Sequence, residues 1–235
     1  MQSWKAKNVT VTQLSPQEVQ ISVVSRIENI QGDYKLNYRI YGDGTVVVNA
    51  EGQAAAEKLP EMPRFGMRMA MPKGFETLRW FGHGPQETYW DRCDARVNLY
   101  QGKVEEQYFN YTEPTESGNK VDVRWVALTN DKGVGLLAIG MPYLSVNALH
   151  YTSEDLTTDG RQGPSHTYEI RHHDEVYLNL DYRQMGVGGD NSWGARPHPE
   201  FLLPGNEKYA YSFAIRPYDS SMGQVQKVAR MPVPK

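Results

Sequence analysis

At 235 residues the chain is long enough to bury a core as one large domain or two small ones, without disulfide staples. The formal net charge is −3, with acids and bases interspersed; no basic block or stripe marks a nucleic-acid surface, and no apolar run approaches the ~18 residues of a membrane-spanning helix. Cys93 is the single cysteine, which excludes an intrachain disulfide and a Cys-based zinc site. Its thiol, beside Arg92 and Asp94, is expected to be buried or incidental rather than reactive. The first residues, MQSWKAKNVTVTQ, carry no hydrophobic signal core and open in mid-pattern, as a piece of a longer protein would.

Taken in order, the elements are β almost throughout. Val19–Ile27 is a β-branched run. Tyr34, Leu36, Tyr38 and Ile40 alternate, Gly42-Asp43-Gly44 turns, and 45–49 returns, which predicts a hairpin. Phe65, Met67 and Met69 alternate after Pro63, and 78–81 gives another short strand. Val121, Val123, Trp125 and Ala127 alternate up to Asn130-Asp131-Lys132-Gly133, and 134–139 comes back as a second hairpin. Ser153-Glu154-Asp155-Leu156 predicts one helical turn with Ser153 as N-cap. Val176, Leu178 and Leu180 predict a half-buried strand, and Tyr209, Tyr211, Phe213 and Ile215 another. Many short strands between Gly, Pro and Asn turns argue for an all-β sandwich or barrel in one domain. Residues 220–235 are thin in core side chains and read as a loosely attached tail.

Three stretches carry chemistry-bearing residues. The first, from Trp80 to Arg92, could be a ligand loop with Glu87 or His83 as acid or base; the bland alternative is that Glu87 and Arg92 form a buried pair holding an irregular loop. The second, Tyr111 to Lys120, has Glu116 as its candidate base but reads better as a solvated loop or subunit contact. In His172-His173-Asp174-Glu175 the two imidazoles would face opposite sides of a strand, so a shared metal is not expected; His150, His166 and His198 read as isolated. A glycosidase needs two carboxylates about 5–5.5 Å apart for retention, and spacing along the chain cannot choose a pair among 28 acids.

The third stretch, LNLDYRQMGVGGDNSWG at 178–194, is the densest. Gly186, Gly188 and Gly189 permit positive φ and a tight bend. Trp193 then offers a flat apolar face to the C–H side of a pyranose, while Asp190 and Asn191 either meet hydroxyls or close the turn. The alternative is that Trp193 caps the core.

Four ordered blocks resemble the large bacterial β-galactosidases of glycoside hydrolase family 2. Met62-Pro63-Arg64-Phe65-Gly66 is similar to their P-R-[IF]-G strand. Gly84-Pro85-Gln86-Glu87-Thr88-Tyr89 with Asp91-Arg92 resembles G-P-Q-E-x-Y-x-D-R. Pro114-Thr115-Glu116-Ser117-Gly118-Asn119 with Arg124-Trp125 resembles P-x-E-[NS]-G and its R-W strand, and Leu178 to Trp193 closes the match. Trp4-Lys5 fits the segment leading in, so the resemblance covers about residues 3–218.

The resemblance is to the C-terminal domain of that family. It implies an all-β fold, a large antiparallel β-supersandwich (galactose mutarotase-like), with residues 1–218 as one domain and 219–235 as a C-terminal tail. The family's two catalytic Glu residues and its Mg²⁺ site belong to a preceding TIM barrel, and βα alternation is missing here. The resemblance therefore implies no catalytic residue, no metal ligand and no cofactor in this chain, with Mg²⁺ and Na⁺ expected for the full-length enzyme. It implies that Trp193 stacks on the aglycone sugar of a β-galactoside such as lactose, in a retaining exo-β-galactosidase, and that Asp190 and Asn191 support the loop. The partners expected are the preceding domains including the barrel, the galactoside, and further copies in a homo-oligomer. Nucleic acid and membrane are not expected, and the parent is cytoplasmic or periplasmic. Two other readings stay open. One is a stand-alone mutarotase-like aldose 1-epimerase built on His83 with Glu87 or Glu116, although Tyr108-Phe109-Asn110 is preceded by Glu106-Gln107 rather than the N-H-x of that family. The other is a free carbohydrate-binding module with Trp193 and Trp90 as platforms.

Overall fold

The computed structural model describes residues 4–56, 59–157, 164, 166–191 and 193–234. Eleven strands account for the fold: β1 (Trp4–Ser15), β2 (Glu18–Ile27), β3 (Gly32–Tyr41), β4 (Val46–Gln53), β5 (Arg64–Met71), β6 (Thr77–Gly84), β7 (Arg96–Lys103), β8 (Lys120–Thr129), β9 (Val134–Leu149), β10 (Val176–Gln184) and β11 (Lys208–Asp219). Every pairing is antiparallel. The path runs β1-β2-β3-β4-β11-β9-β8-β6-β7, and β10 leaves it by pairing with both β9 and β5.

Both hairpins form as the turn residues require: β3 to β4 through Gly42–Gly44, and β8 to β9 through Asn130–Gly133, where Asn130 Oδ1 accepts from the amides of Lys132 and Val134 at 3.0 Å. β1 and β7 are additional strands. β1 has only β2 as a neighbour, and β7 only β6, so both are edge strands whose short apolar alternations, Val9 and Val11 on β1 and Val97 and Leu99 on β7, stay exposed.

β9 is the branch point. Its first half, Val134–Met141, pairs with β11, and its second half, Ser145–Leu149, pairs with β10. Pro142 lies between the two ladders, where its missing N–H removes a rung and lets the strand change partners. The two layers then meet face to face. Phe65 on β5 packs against Tyr34, Tyr209 and Tyr211 with ring centroids 5.5–5.8 Å apart, and the Tyr211 hydroxyl donates to the Leu180 carbonyl at 2.9 Å. Leu36, Val48, Trp80, Val126, Leu178, Leu180 and Phe213 fill the interior between them, completing an antiparallel β-supersandwich.

Two expectations about burial are corrected. β10 is buried on both faces rather than one, because Asn179 and Asp181 on its second face are covered as completely as Leu178 and Leu180. Residues 220–234 are not loosely attached. A short helix, α1 (Val225–Ala229), lays Val225, Val228 and Ala229 over Val47, Trp125, Ile139 and Tyr218, forming a second buried cluster. Arg216 fastens it, donating to the carbonyls of Val228 and Pro232 at 3.0 Å each. Trp125 reaches this second cluster because the β8–β9 ladder shifts register between Val123 and Trp125. The bulge turns residue 125 to the face opposite residue 123, breaking the plain alternation.

The predicted helical turn forms as a single turn, with the Asp155 and Leu156 amides both donating to the Thr152 carbonyl, and Thr152 rather than Ser153 caps it. The Asp155 amide donates to Thr152 Oγ1 at 3.1 Å, while Asp155 Oδ2 accepts from the Thr152 amide at 2.7 Å.

Candidate functional site

The Trp193 loop leaves β10 and returns to the 3₁₀ turn at Pro199–Phe201. Its glycines serve close approach. A Cβ on Gly186 would stand 2.7 Å from Asp91 Oδ2, and one on Gly189 would stand 2.1 Å from the Ala195 carbonyl oxygen. The positive φ of the loop falls on Gly194, at +94°, not on the Gly186–Gly189 cluster. The Gly186 amide donates to the Phe201 carbonyl and the Gly188 amide to Asp91 Oδ2, both at 2.8 Å, so the loop is tied at its neck to two separate segments. Asn191 Oδ1 accepts the Trp193 amide at 2.8 Å, a two-residue side-chain turn that sets the direction of residue 193. Asp190 Oδ1 lies 2.8 Å from His198 Nε2, and this carboxylate raises the imidazole's pKa. Ser192 lies outside the described residues.

Trp193 itself is 93% exposed. It therefore caps no core within this chain, and a full indole face stands free at the tip of an anchored loop. Trp90 differs: the Arg183 guanidinium lies 3.8 Å from the centroid of one of its rings and Phe201 meets it edge-on at 5.8 Å. It packs beneath the loop and presents no second open platform.

A second constellation lies on the buried face of β10. Arg64 reaches Asp181 Oδ2 at 3.1 Å, Glu116 Oε2 at 2.5 Å and Gln184 Oε1 at 3.3 Å, while Asn147 Nδ2 donates to Glu116 Oε1 at 3.1 Å. A cavity of about 530 Å³ opens beside them, bordered by Arg64, Arg68, Glu116, Glu154, Asp181 and Gln184. Complete burial pushes the Asp181 carboxyl up to about 7 against the pull of Arg64, and burial also raises Glu116. Glu116 is thus no solvated-loop acid. The hydrophobic reading of LNLD attends to its leucines and overlooks the intervening Asp181, whose partner lies 117 residues away.

The remaining candidates separate. Glu87 Oε1 pairs with Arg92 at 2.5 Å, Oε2 accepts the Gly118 amide at 2.8 Å, and the Tyr111 hydroxyl also donates to this carboxylate, which is the loop-holding arrangement. His83 faces the Ala95 carbonyl and Asp122 at 3.4 Å, so it does not meet Glu87 as an acid–base pair. Burial and the nearby Asp122, Asp94 and Asp91 push the Cys93 thiol up, away from a reactive thiolate. His172 and His173 do part, as expected, but His150 and His198 are not isolated: His150 lies against Glu76 and His172, and His198 against Asp190.

The fold is an antiparallel β-supersandwich, and it presents Trp193 outward at the tip of an anchored loop. Residues 1–215 match the family profile described as Beta galactosidase small chain, and the chain belongs to that family. It is 40% identical over 212 residues to a β-galactosidase of Priestia megaterium, covering 90% of this chain and 20% of that protein. It is 30% identical over 226 residues to one of Streptococcus thermophilus, covering 92% and 21%. The chain thus spans about a fifth of the length of these relatives and corresponds to their small-chain domain. Similar solved structures include a GH36 α-galactosidase of Geobacillus stearothermophilus, with TM-score 0.49, 9% identity and coverage of 93% of this chain and 28% of that one. Another is a putative aldose 1-epimerase of Escherichia coli, with TM-score 0.47, 10% identity and coverage of 90% and 69%.

Proposed function

We propose that this chain is the part of a retaining exo-β-galactosidase that completes the aglycone side of its active site, with Trp193 stacking on the leaving-group sugar of a β-galactoside such as lactose. The observation that carries the reading is the combination of full indole exposure with a pinned loop neck. An aromatic residue left open to water is costly unless a partner surface or ligand covers it. A loop held by Asp91, Phe201 and the Asn191 turn presents it at a defined height, so little ordering entropy is lost when a sugar ring is covered.

In this reading the chain's own groups bind and orient. The indole face takes the C–H side of the aglycone, fixing the glycosidic oxygen relative to acid and nucleophile carboxylates supplied by a preceding barrel domain. Asp190 and Asn191 act on the loop rather than on the sugar, since both side chains are already engaged with His198 and the Trp193 amide. The isolated chain is accordingly inactive. Val9 and Val11 on β1 and Val97 and Leu99 on β7 are exposed apolar side chains on edge strands, which supports packing of this domain against the rest of the parent enzyme and its subunits. In the aldose 1-epimerase reading His83 is turned to Ala95 and Asp122 rather than to Glu87, and in the free binding-module reading Trp90 is covered by Arg183 and Phe201.

The test is a β-galactosidase assay of the 235-residue chain alone and after mixing with the separately expressed remainder of a parent enzyme. Silence alone and activity on mixing are expected. Hydrolysis by the chain alone would overturn the proposal.

A further inference from the structure

Where β9, β10 and β5 pair side by side, one face of the sheet carries polar side chains. Asn179 on β10 stands between Asn147 on β9 and Arg68 on β5, and Asp181 stands between Ser145 and Gly66. Residues directly opposite one another in antiparallel ladders share a face, so these six form one surface. Ser145, Asn147, Asn179 and Asp181 are all buried, although burying a polar group is costly unless it is hydrogen-bonded.

Most of the group is satisfied within the chain. Asn147 donates to Glu116 and to the Ser117 carbonyl, Ser145 Oγ donates to Asn119 Oδ1 at 2.9 Å, and Arg64 joins Asp181 Oδ2 to Glu116. Two groups are left over among the described residues. The Asn179 carboxamide has no hydrogen-bond partner, though the residue is only 6% exposed, and Asp181 Oδ1 meets no donor. Both side chains border the cavity of about 530 Å³. A buried amide left open on the wall of a polar cavity calls for a ligand that both donates and accepts.

The charges around the cavity narrow the class of that ligand. Arg64 is spent on Asp181, Glu116 and Gln184, and Arg68 gives two bonds to Glu154, at 2.6 and 3.2 Å. Neither guanidinium is left over for an anion, and each of the three carboxylates is already held by an arginine. Hydroxyl groups suit what remains, because an O–H donates to a carboxylate oxygen while its own oxygen accepts from the amide. Pro63 and Leu156 add apolar atoms to the lining for the C–H bonds of a ring.

We propose that this cavity binds one neutral monosaccharide, held by hydroxyl contacts to Asn179, Asp181 and Glu116. Its volume is within the range of small-molecule pockets, roughly 300–1,000 Å³, and admits a hexose ring. None of its described lining residues belongs to the 186–194 loop, so the site stands independently of the Trp193 reading. A sugar seated there would bridge Glu116 and the 153–157 turn to β5 and β10, and would raise the thermal midpoint of the domain.

The test titrates the 235-residue chain with D-glucose and with D-galactose, read by calorimetry and ligand-observed NMR. Saturable one-site binding of at least one hexose is expected, with a Kd of about 1 mM as suits a ligand of that size, and sodium sulfate should not compete. Asn179→Leu keeps the side-chain bulk and removes the amide. It should weaken binding by about tenfold or more without lowering the thermal midpoint, since the amide has no partner within the described chain to lose. A merely structural Asn179 would give the reverse pattern. Thr157→Trp, at an exposed position on the lining, should block the cavity and also abolish binding. Trp193→Ala should bind the hexose as the unmodified chain does. No saturable binding of either hexose, unchanged affinity in Asn179→Leu or Thr157→Trp, displacement by sulfate, or loss of binding in Trp193→Ala would each overturn the site and leave the cavity to water.

Discussion

Asp91 accepts the Gly188 amide hydrogen at 2.8 Å across 97 residues of sequence. This bond joins the Asp91-Arg92 segment to the Trp193 loop, so two motifs distant in the chain form one device for holding an indole in the open. Asp91→Ala should leave the fold largely intact and release the neck of the loop. A charge-assisted bond at a partly exposed position is worth about 1–2 kcal/mol. In a complete enzyme carrying this chain, KM for lactose is expected to rise roughly 5- to 20-fold with kcat changing less. Steady-state kinetics check it.

Trp193→Ala removes the platform itself. Loss of one stacked face costs about 1–2 kcal/mol, giving a KM for lactose roughly 5- to 30-fold higher and a smaller share of transglycosylation product. Because the side chain is 93% exposed, the thermal midpoint should hardly move. A normal lactose KM in this variant would remove Trp193 from the site.

Gly66 explains its own place in the Pro63–Gly66 block. A Cβ there would stand 1.8 Å from Asp181 Oδ1 and 2.5 Å from its Cα, the second being backbone that cannot rotate away. Gly66→Ala should therefore destabilise by about 3 kcal/mol, the cost of overpacking a site that cannot relax. It would also disturb the Arg64–Asp181–Glu116 network. Denaturant unfolding with an unchanged midpoint would contradict the close approach.

The buried Asp181 makes stability depend on pH. Its carboxyl is pushed by burial up to about 7 in the folded chain, against about 4 for an ordinary aspartate. Between those values the folded state holds a proton that the unfolded state has lost, so unfolding free energy falls as pH rises from about 4 to about 7. Above 7 this contribution is flat. Burial raises Glu116 in the same direction. Asp181→Asn, which keeps an oxygen for Arg64, should flatten the decline between about pH 4 and pH 7, as read from thermal midpoints across that range.

The C-terminal helix closes the second cluster. Val228→Asp places a charge against Val47, Trp125 and Tyr218 and should cost about 3–5 kcal/mol. Ending the chain after Asp219 would likewise uncover that face and strip Arg216 of two carbonyl acceptors. Lower solubility and a lower thermal midpoint are expected for both.

The sequence by itself determined the all-β class, both hairpins and the glycine-rich, aromatic-tipped character of the 186–194 loop. Those features are written in nearest-neighbour chemistry, in period-two alternation, turn residues and an aromatic next to Asp and Asn. It also separated His172 from His173, because adjacent residues diverge. What it could not show are relations between residues far apart in the chain. Asp181 with Arg64, Asp91 with Gly188, and His150 with Glu76 and His172 are brought together by strand order and register, which local periodicity does not encode. Residues 220–235 look polar because only one side of a five-residue helix needs to be apolar, and that side becomes visible only once β4, β8, β9 and β11 present a surface for it. Trp193 shows the division most sharply. Its residue type announced an aromatic platform or a core cap, and only the packed fold, by leaving no interior for it to enter, decided that it faces outward.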